Sequence, residues 1–380
     1  MSKAAELAAL IGGQKALGNK NLVKNGAMVV AQRATSATGI TGSGLNTVDR
    51  MYPEIGTAGT WTQSQSTDVP SGQGFVNSFK MDCTTADTSL DAGHFCILGY
   101  RLEGIDLQRL NYGTSGAKNM VLSFWVKTSK TGNYVVNMQN VVTGGTSRTC
   151  GKVYTVSQAN TWQKVEFPIA ADTAAAFDND TALTAIIYWW LASGTTYTSG
   201  TLSNTWENIS NANIAAGLNV NLADSTDNEW YITGIQLEEG DVATDFEHED
   251  FATTLEKCQR YYFESKRVGA GGVDYGQVGR ISNQVQGMYT QPLPTPLRGS
   301  PTITANPAYN TGSSWNNNLS GVTNVTWTGA PALYSWHANK NSVEWYVAQT
   351  SLASGYVGMV IQPYANTGQS ENYISFDAEL

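Results

Sequence analysis

The chain has 380 residues, with 22 Lys and Arg against 31 Asp and Glu, a formal net charge of −9 and only 14% charged residues, so its polarity comes from Thr, Asn, Ser and Gly. That balance excludes a net basic field for nucleic acid and a charge-dense disordered chain, and no run of 18 apolar residues is present that could cross a bilayer. A length beyond the ~250–300 residues over which one core usually grows predicts at least two domains.

At the N-terminus, Ala4, Leu7, Ala8 and Ile11 share one helical face before Gly12 and Gly13, which predicts a short helix that needs a partner; the alternative is a frayed terminus. Residues 1–13 lack the features of a secretory signal, which points to synthesis in a cytosol. No Cys-x-x-Cys pair occurs among Cys83, Cys96, Cys150 and Cys258, so buried free thiols are expected, although Cys83 and Cys96 could face each other on neighbouring strands.

After Lys20, short segments rich in Val, Thr, Tyr and Trp alternate with Gly, Asn, Asp and Ser, the pattern of an all-β sandwich. Strands are predicted at Phe75–Cys83, His94–Leu102, Met120–Lys127, Tyr134–Asn140, Gln163–Ile169, Leu183–Leu191 and Trp230–Leu237. Met120–Lys127 is expected to pair with Tyr134–Asn140 through the turn at Thr131–Asn133, and the run Ala185–Leu191, apolar on both faces, to lie centrally. A helix is predicted from Thr253 to Tyr262, with Thr253 and Glu256 as a capping box, followed by a Gly-rich connector at Gly269–Gly272 that reads as the domain boundary. Strands then recur at Gln284–Leu293, Thr302–Ala305, Val325–Thr328, Val343–Gln349, Tyr356–Pro363 and Tyr373–Ala378, a second, smaller β domain.

Three stretches carry a family resemblance. Asn21-Leu-Val-Lys-Asn-Gly-Ala-Met-Val-Val-Ala-Gln-Arg33 with Val48-Asp49-Arg50 resembles the opening of tail-fibre or minor virion structural proteins of tailed phages of marine bacteria. Gly74–Lys80, Leu122-Ser-Phe-Trp-Val-Lys127, Tyr231-Ile-Thr-Gly-Ile-Gln-Leu-Glu-Glu-Gly240 and Ala243–Glu247 are similar to the carbohydrate-binding jelly roll those proteins carry. Cys258-Gln-Arg-Tyr-Tyr262, Leu293–Thr302 and Phe376-Asp-Ala-Glu-Leu380 look like the same family. The resemblance implies an N-terminal helix for virion anchoring (1–20), a jelly-roll β-sandwich (21–249), a helix and connector (250–272) and a C-terminal β domain (273–380). It further implies a homotrimer, made in the bacterial host cytoplasm and located in the virion, that meets other virion proteins through its N-terminus and binds host-surface glycan as a tail-fibre-like appendage. The alternative is a purely structural capsid or tail decoration protein, a head fibre. Related jelly rolls often carry an Asp on the last strand for structural Ca²⁺, where this chain has Thr233 and Gly234, so no calcium site is expected.

The chemistry that the residues could perform is limited. None of the three histidines, His94, His248 and His337, sits in a metalloprotease or hydrolase frame, Gly113–Lys118 lacks phosphate-loop spacing, and no carboxylate pair suggests glycoside hydrolysis. No catalytic, cofactor or metal site is therefore expected; the acidic cluster Glu238, Glu239, Asp241, Asp245, Glu247, Glu249 and Asp250 has the hard oxygens that Ca²⁺ takes, but a solvated loop is the favoured reading. Aromatic usage is more suggestive, because 11 Trp and 18 Tyr in a charge-poor chain suit stacking on sugar rings. Trp61 and Trp206, expected exposed in Thr, Ser, Gly and Asn-rich loops, and Trp315 and Trp336, expected in loops of the second domain, are the candidate glycan contacts, whereas Tyr188, Trp190 and Trp345 are expected inward. Large aromatics also fill sandwich cores and subunit interfaces, a use that composition alone leaves open.

Overall fold

The computed structural model describes residues 20–141, 145–266, 277–283, 286–305, 316–317, 332–339, 342–348, 357–362 and 373–380. The expected N-terminal helix, the Gly269–Gly272 connector and the Val325–Thr328 strand lie outside these residues. Among the described residues no helix is long and apolar enough to cross a membrane.

Two compact units are present, one formed by residues up to Thr254 with Leu380, the other by Leu255–Glu379. The first holds two six-stranded antiparallel sheets. Its strands are β1 (Ser36–Ile40), β2 (Tyr52–Gly56), β3 (Thr60–Ser66), β4 (Ser78–Thr85), β5 (Phe95–Glu103), β6 (Met120–Thr128), β7 (Gly132–Asn140), β8 (Arg148–Val156), β9 (Gln163–Ile169), β10 (Leu183–Ser193), β11 (Glu207–Asn208) and β12 (Glu229–Glu239). Two single-turn helices, α1 (Gly104–Leu107) and α2 (Thr195–Thr198), interrupt them.

Strand order identifies the topology. The sheets run β1-β3-β4-β12-β6-β9 and β11-β8-β7-β10-β5-β2. With β4 to β10 and β12 counted in chain order as eight strands, the first, eighth, third and sixth are neighbours in one sheet and the second, seventh, fourth and fifth in the other. That is the jelly-roll order. Alternate residues of both sheets meet in one core, with Phe79, Met81, Leu122, Phe124, Trp230 and Ile232 on one side and Leu98, Tyr100, Val136, Met138, Ile187 and Trp189 on the other. Phe124 and Trp189 make an edge-to-face contact across the sheets, with centroids 5.7 Å apart.

Most predicted strands of this unit are present within a few residues, and Ala185–Leu191 lies centrally, in β10 between β7 and β5. The expected hairpin of β6 with β7 is absent: β6 pairs with β12 and β9, and β7 with β8 and β10. The turn at Thr131 carries the chain from one sheet to the other, which local alternation cannot distinguish from a hairpin. One edge is closed by a side chain, since Lys152 of β8 donates from Nζ to the main-chain carbonyl of Glu166 on the edge strand β9 at 2.6 Å.

Residues Asn21–Gly26 complete the first sheet. Leu22 N donates to Leu237 O at 2.8 Å, Ile235 N to Gly26 O at 3.0 Å, and the Asn21 side chain bonds both Ile235 O and Leu237 N. The approach is so close that a side chain on Gly26 would overlap the Ile235 carbonyl.

The chain passes from the first unit to the second within α3 (Phe251–Gln259), and the second contains a sheet β13-β21-β16 (Tyr262–Lys266, Tyr373–Asp377, Thr302–Ala305) and a sheet β17-β20-β14-β15-β19-β18. The last comprises Asn316–Asn317, Val357–Gln362, Gln277–Asn283, Gln286–Pro292, Ser342–Ala348 and Ala332–Asn339. Asp250 caps α3 in place of the expected Thr253 box, accepting from Thr253 N at 3.0 Å and from its hydroxyl at 2.6 Å. Because β13 pairs with β21, residues 262–266 belong to a sheet of this unit and not to a linker.

All four cysteines are free and buried, and burial pushes the Cys83 thiol up to about 11 and the Cys96 thiol well above its ordinary value. Two outcomes follow. Native protein should resist thiol alkylation at pH 8 until it is unfolded, and Gly26→Ala should lower stability by ~1–3 kcal/mol in urea unfolding through the clash at Ile235.

Candidate functional site

The sequence-predicted glycan contacts are not brought together. Trp61 is fully buried in β3 with Nε1 donating to Ala58 O at 2.7 Å, because the alternation of β3 turns it toward the core. Trp206 is buried too, edge-on to Tyr112 and donating to Ala170 O at 2.8 Å. Neither indole can stack on a sugar. Trp336 lies within β18 and not in a loop, at a register irregularity between Ser335 paired with Trp345 and His337 paired with Glu344. Trp315 lies outside the described residues.

The two outer faces of the sandwich differ. On the β2-to-β11 sheet, residues 194–218 lie over the centre: Ile214 and Ala215 pack on Ile97, Val135 and Trp190, and Trp190 Nε1 donates to Asn137 at 3.1 Å. Trp190 is inward as expected, but into this outer cluster and not the main core. Tyr188 is half-buried; its hydroxyl donates to Glu54 at 3.2 Å, and Arg101 stacks on Tyr52 at 3.6 Å.

The opposite face, on β3-β4-β12-β6-β9, presents aromatic rings between charges. One row crosses it as Trp162, Lys127, Tyr231, Lys80 and Ser64; the last four are paired in register, and Trp162 lies one residue before β9. Trp125, between the core residues Phe124 and Val126, points outward beside Lys164 and Thr233. Trp125 and Trp162 are thus diagonal neighbours, ~7–8 Å apart on adjacent strands. Both indoles are half-buried.

Gly234 makes room for this arrangement. It has φ +62°, at the irregularity where β12 shifts register against β6 between Thr233 and Gln236. A Cβ there would come within 2.5 Å of the Phe75 ring and 3.1 Å of Trp125. Phe75 is packed in turn by Phe246 and His248, with centroids 5.0 and 5.1 Å away. Gly234 thus has a packing role of its own.

Charged groups hold the rings in place. Asp68 pairs with Lys127 and accepts from Trp162 Nε1 at 2.9 Å; Lys127 Nζ lies 4.2 Å from the Tyr231 centroid. Glu229 accepts from Lys80 at 2.7 Å and from the Tyr231 hydroxyl at 2.7 Å. Partial burial would raise both carboxyls, but it is outweighed. Hydrogen bonds from Lys127 and Trp162 hold Asp68 below its ordinary 3.8, and those from Lys80 and Tyr231 hold Glu229 below 4.5. Chemically, the face offers ring surfaces for stacking and fixed carboxylate and ammonium groups for hydroxyls.

No family model and no curated protein matches the chain. Solved structures similar to it include the enzymatically active domain of tailspike protein 4 of bacteriophage CBA120, at 11% identity and TM-score 0.32, covering 58% of this chain and 22% of that one. Another is a xylan-binding domain from Paenibacillus barcinonensis, at 12% identity and TM-score 0.27, covering 50% and 91%. A third is the family 30 carbohydrate-binding module of a cellulosomal cellulase of Clostridium thermocellum, at 15% identity and TM-score 0.28, covering 59% and 98%. The jelly-roll assignment rests on the strand order and not on these likenesses.

Trp125 and Trp162 were not singled out by sequence reasoning. Their signal was present for Trp125, since Leu122, Phe124 and Val126 on one face of Met120–Lys127 put it on the other. Trp162 had no such signal, because its place depends on β9 pairing with β6.

The depressed carboxyls fix the sign of a pH effect. Their contribution is present above the ordinary values and is lost as pH falls through the folded ones. The double variant Asp68→Asn, Glu229→Gln should melt ~2–4 °C below the unaltered protein at pH 7, and the difference should shrink as pH falls through the carboxylate range.

Proposed function

We propose that this chain is a virion protein of a tailed phage, a fibre-like appendage that binds host-surface glycan through the outer face carrying Trp125 and Trp162. The observation that carries the glycan reading is the pair of half-buried indoles on a sheet face, held beside carboxylates and ammonium groups that can bond sugar hydroxyls. The resemblance of Asn21–Arg33 and Tyr231–Gly240 to tail-fibre proteins supports the virion setting. A purely structural decoration role is favoured by one feature of the same face, the ion pairing of Lys80, Lys127 and Lys164, which would also suit a passive surface.

Adsorption separates the two. Trp125→Ala and Trp162→Ala should each weaken binding to host cells or cell-surface polysaccharide at least tenfold, ~1.4 kcal/mol, while the protein stays folded with its melting temperature lowered by a few degrees at most. Trp61→Ala should act the other way, losing ~3–5 kcal/mol of stability as a core deletion. Full adsorption by the Trp125→Ala, Trp162→Ala double variant would leave the structural reading. In the proposed appendage the chain assembles as a homotrimer whose weak sites add by avidity, and light scattering at micromolar concentration should return three times the chain mass.

A further inference from the structure

On the reading of the Trp125 and Trp162 face as a glycan site, we infer that its ligand is an uncharged saccharide chain and that the face rejects acidic ones. The observation is an asymmetry in how the ion pairs are presented. In each pair the ammonium is the more hidden partner: Lys127 is 11% exposed against 44% for Asp68, Lys80 19% against 35% for Glu229, and Lys164 33% against 45% for Glu166. Asp82, the second carboxylate on Lys80, is 30% exposed. Each of the three lysines is thus less exposed than its own carboxylate partners, and a ligand approaching this face meets more carboxylate than ammonium.

Carboxylates only accept hydrogen bonds, and those from hydroxyls to them are about twice as strong as neutral ones. A chain rich in hydroxyls supplies the donors this rim lacks. A uronate, sulfate or phosphate brings acceptors of the same charge, and each would have to displace an ion pair or sit beside an unneutralised carboxylate. The net charge of −9 repels such chains further at low salt, where screening extends to ~30 Å at 0.01 M.

The test is retention of the full chain on immobilised polysaccharides at 10 mM salt. Neutral glucan, galactan, mannan and xylan are compared with alginate, polygalacturonate and a sulfated galactan. The expected result is retention on at least one neutral chain and on none of the acidic ones, lost in the Trp125→Ala, Trp162→Ala variant. Glu166→Gln with Asp82→Asn should raise retention on the acidic chains at least threefold, with the melting temperature checked to exclude misfolding; no rise would overturn the inference. Tryptophan-dependent retention on acidic chains stronger than on neutral ones would overturn the charge selection while leaving the glycan site standing. Retention that ignores both tryptophans, or none on any chain, would overturn the site and the inference together.

Discussion

The entry of β12 between β4 and β6 is the pairing on which the open face depends. Its partners lie far upstream, Trp230 against Thr128 and Met81, and Leu237 against Leu122. Joining strands across such loops costs entropy before contacts repay it. Repayment comes from Trp230, Ile232, Ile235 and Leu237, all buried in the core. Strict alternation would turn Gly234 and Gln236 inward instead of Ile235 and Leu237. The extra residue at the irregularity resets the phase, so side chains on both sides of it reach the core. Beyond Ile232, β12 loses β4 as a partner, and residues Asn21–Gly26 take up the exposed main-chain groups.

The same strand decides which surface can meet a ligand. Glu229, Tyr231 and Thr233 are the outward residues of β12 before the irregularity, and Gly234 removes the one side chain that would lift Phe75 and Trp125 off the sheet. On the other sheet the long connection from β10 to β12 folds back over Ile97, Val135 and Trp190, so its aromatic residues are spent on packing. One jelly roll thus uses its large rings in two ways: on one face they pack beneath residues 194–218, and on the other Phe75 lies over Gly234 while Trp125 and Trp162 stay half-buried.

Much of this was legible in the sequence. Alternation located most strands of the first unit, including the central β10, because apolar residues on both faces require burial on both. What alternation cannot report is the partner, and so β6 and β7 were read as a hairpin although the chain changes sheets between them. The aromatic candidates failed for a related reason. Trp61 and Trp206 stand among Thr, Ser, Gly and Asn, which reads as loop, yet β3 is a strand with polar outward residues and Trp206 packs into the core edge-on to Tyr112 while donating to Ala170. Trp125 was legible as outward, but its value depended on Trp162 and Gly234, brought beside it only by strands 37 and 109 residues away in sequence.

The contact of Lys152 with the Glu166 carbonyl bears on crowding. Where like copies of a β protein are held close together, an open sheet edge can recruit its counterpart on the next copy. An ammonium seated on a main-chain carbonyl of β9 spoils the regular alternation of donors and acceptors that a foreign strand would need. It also places a charge that such a strand would have to strip of water. A single lysine rooted in the facing sheet thus leaves that stretch of edge a poorer template for strand addition than its bare main chain would be.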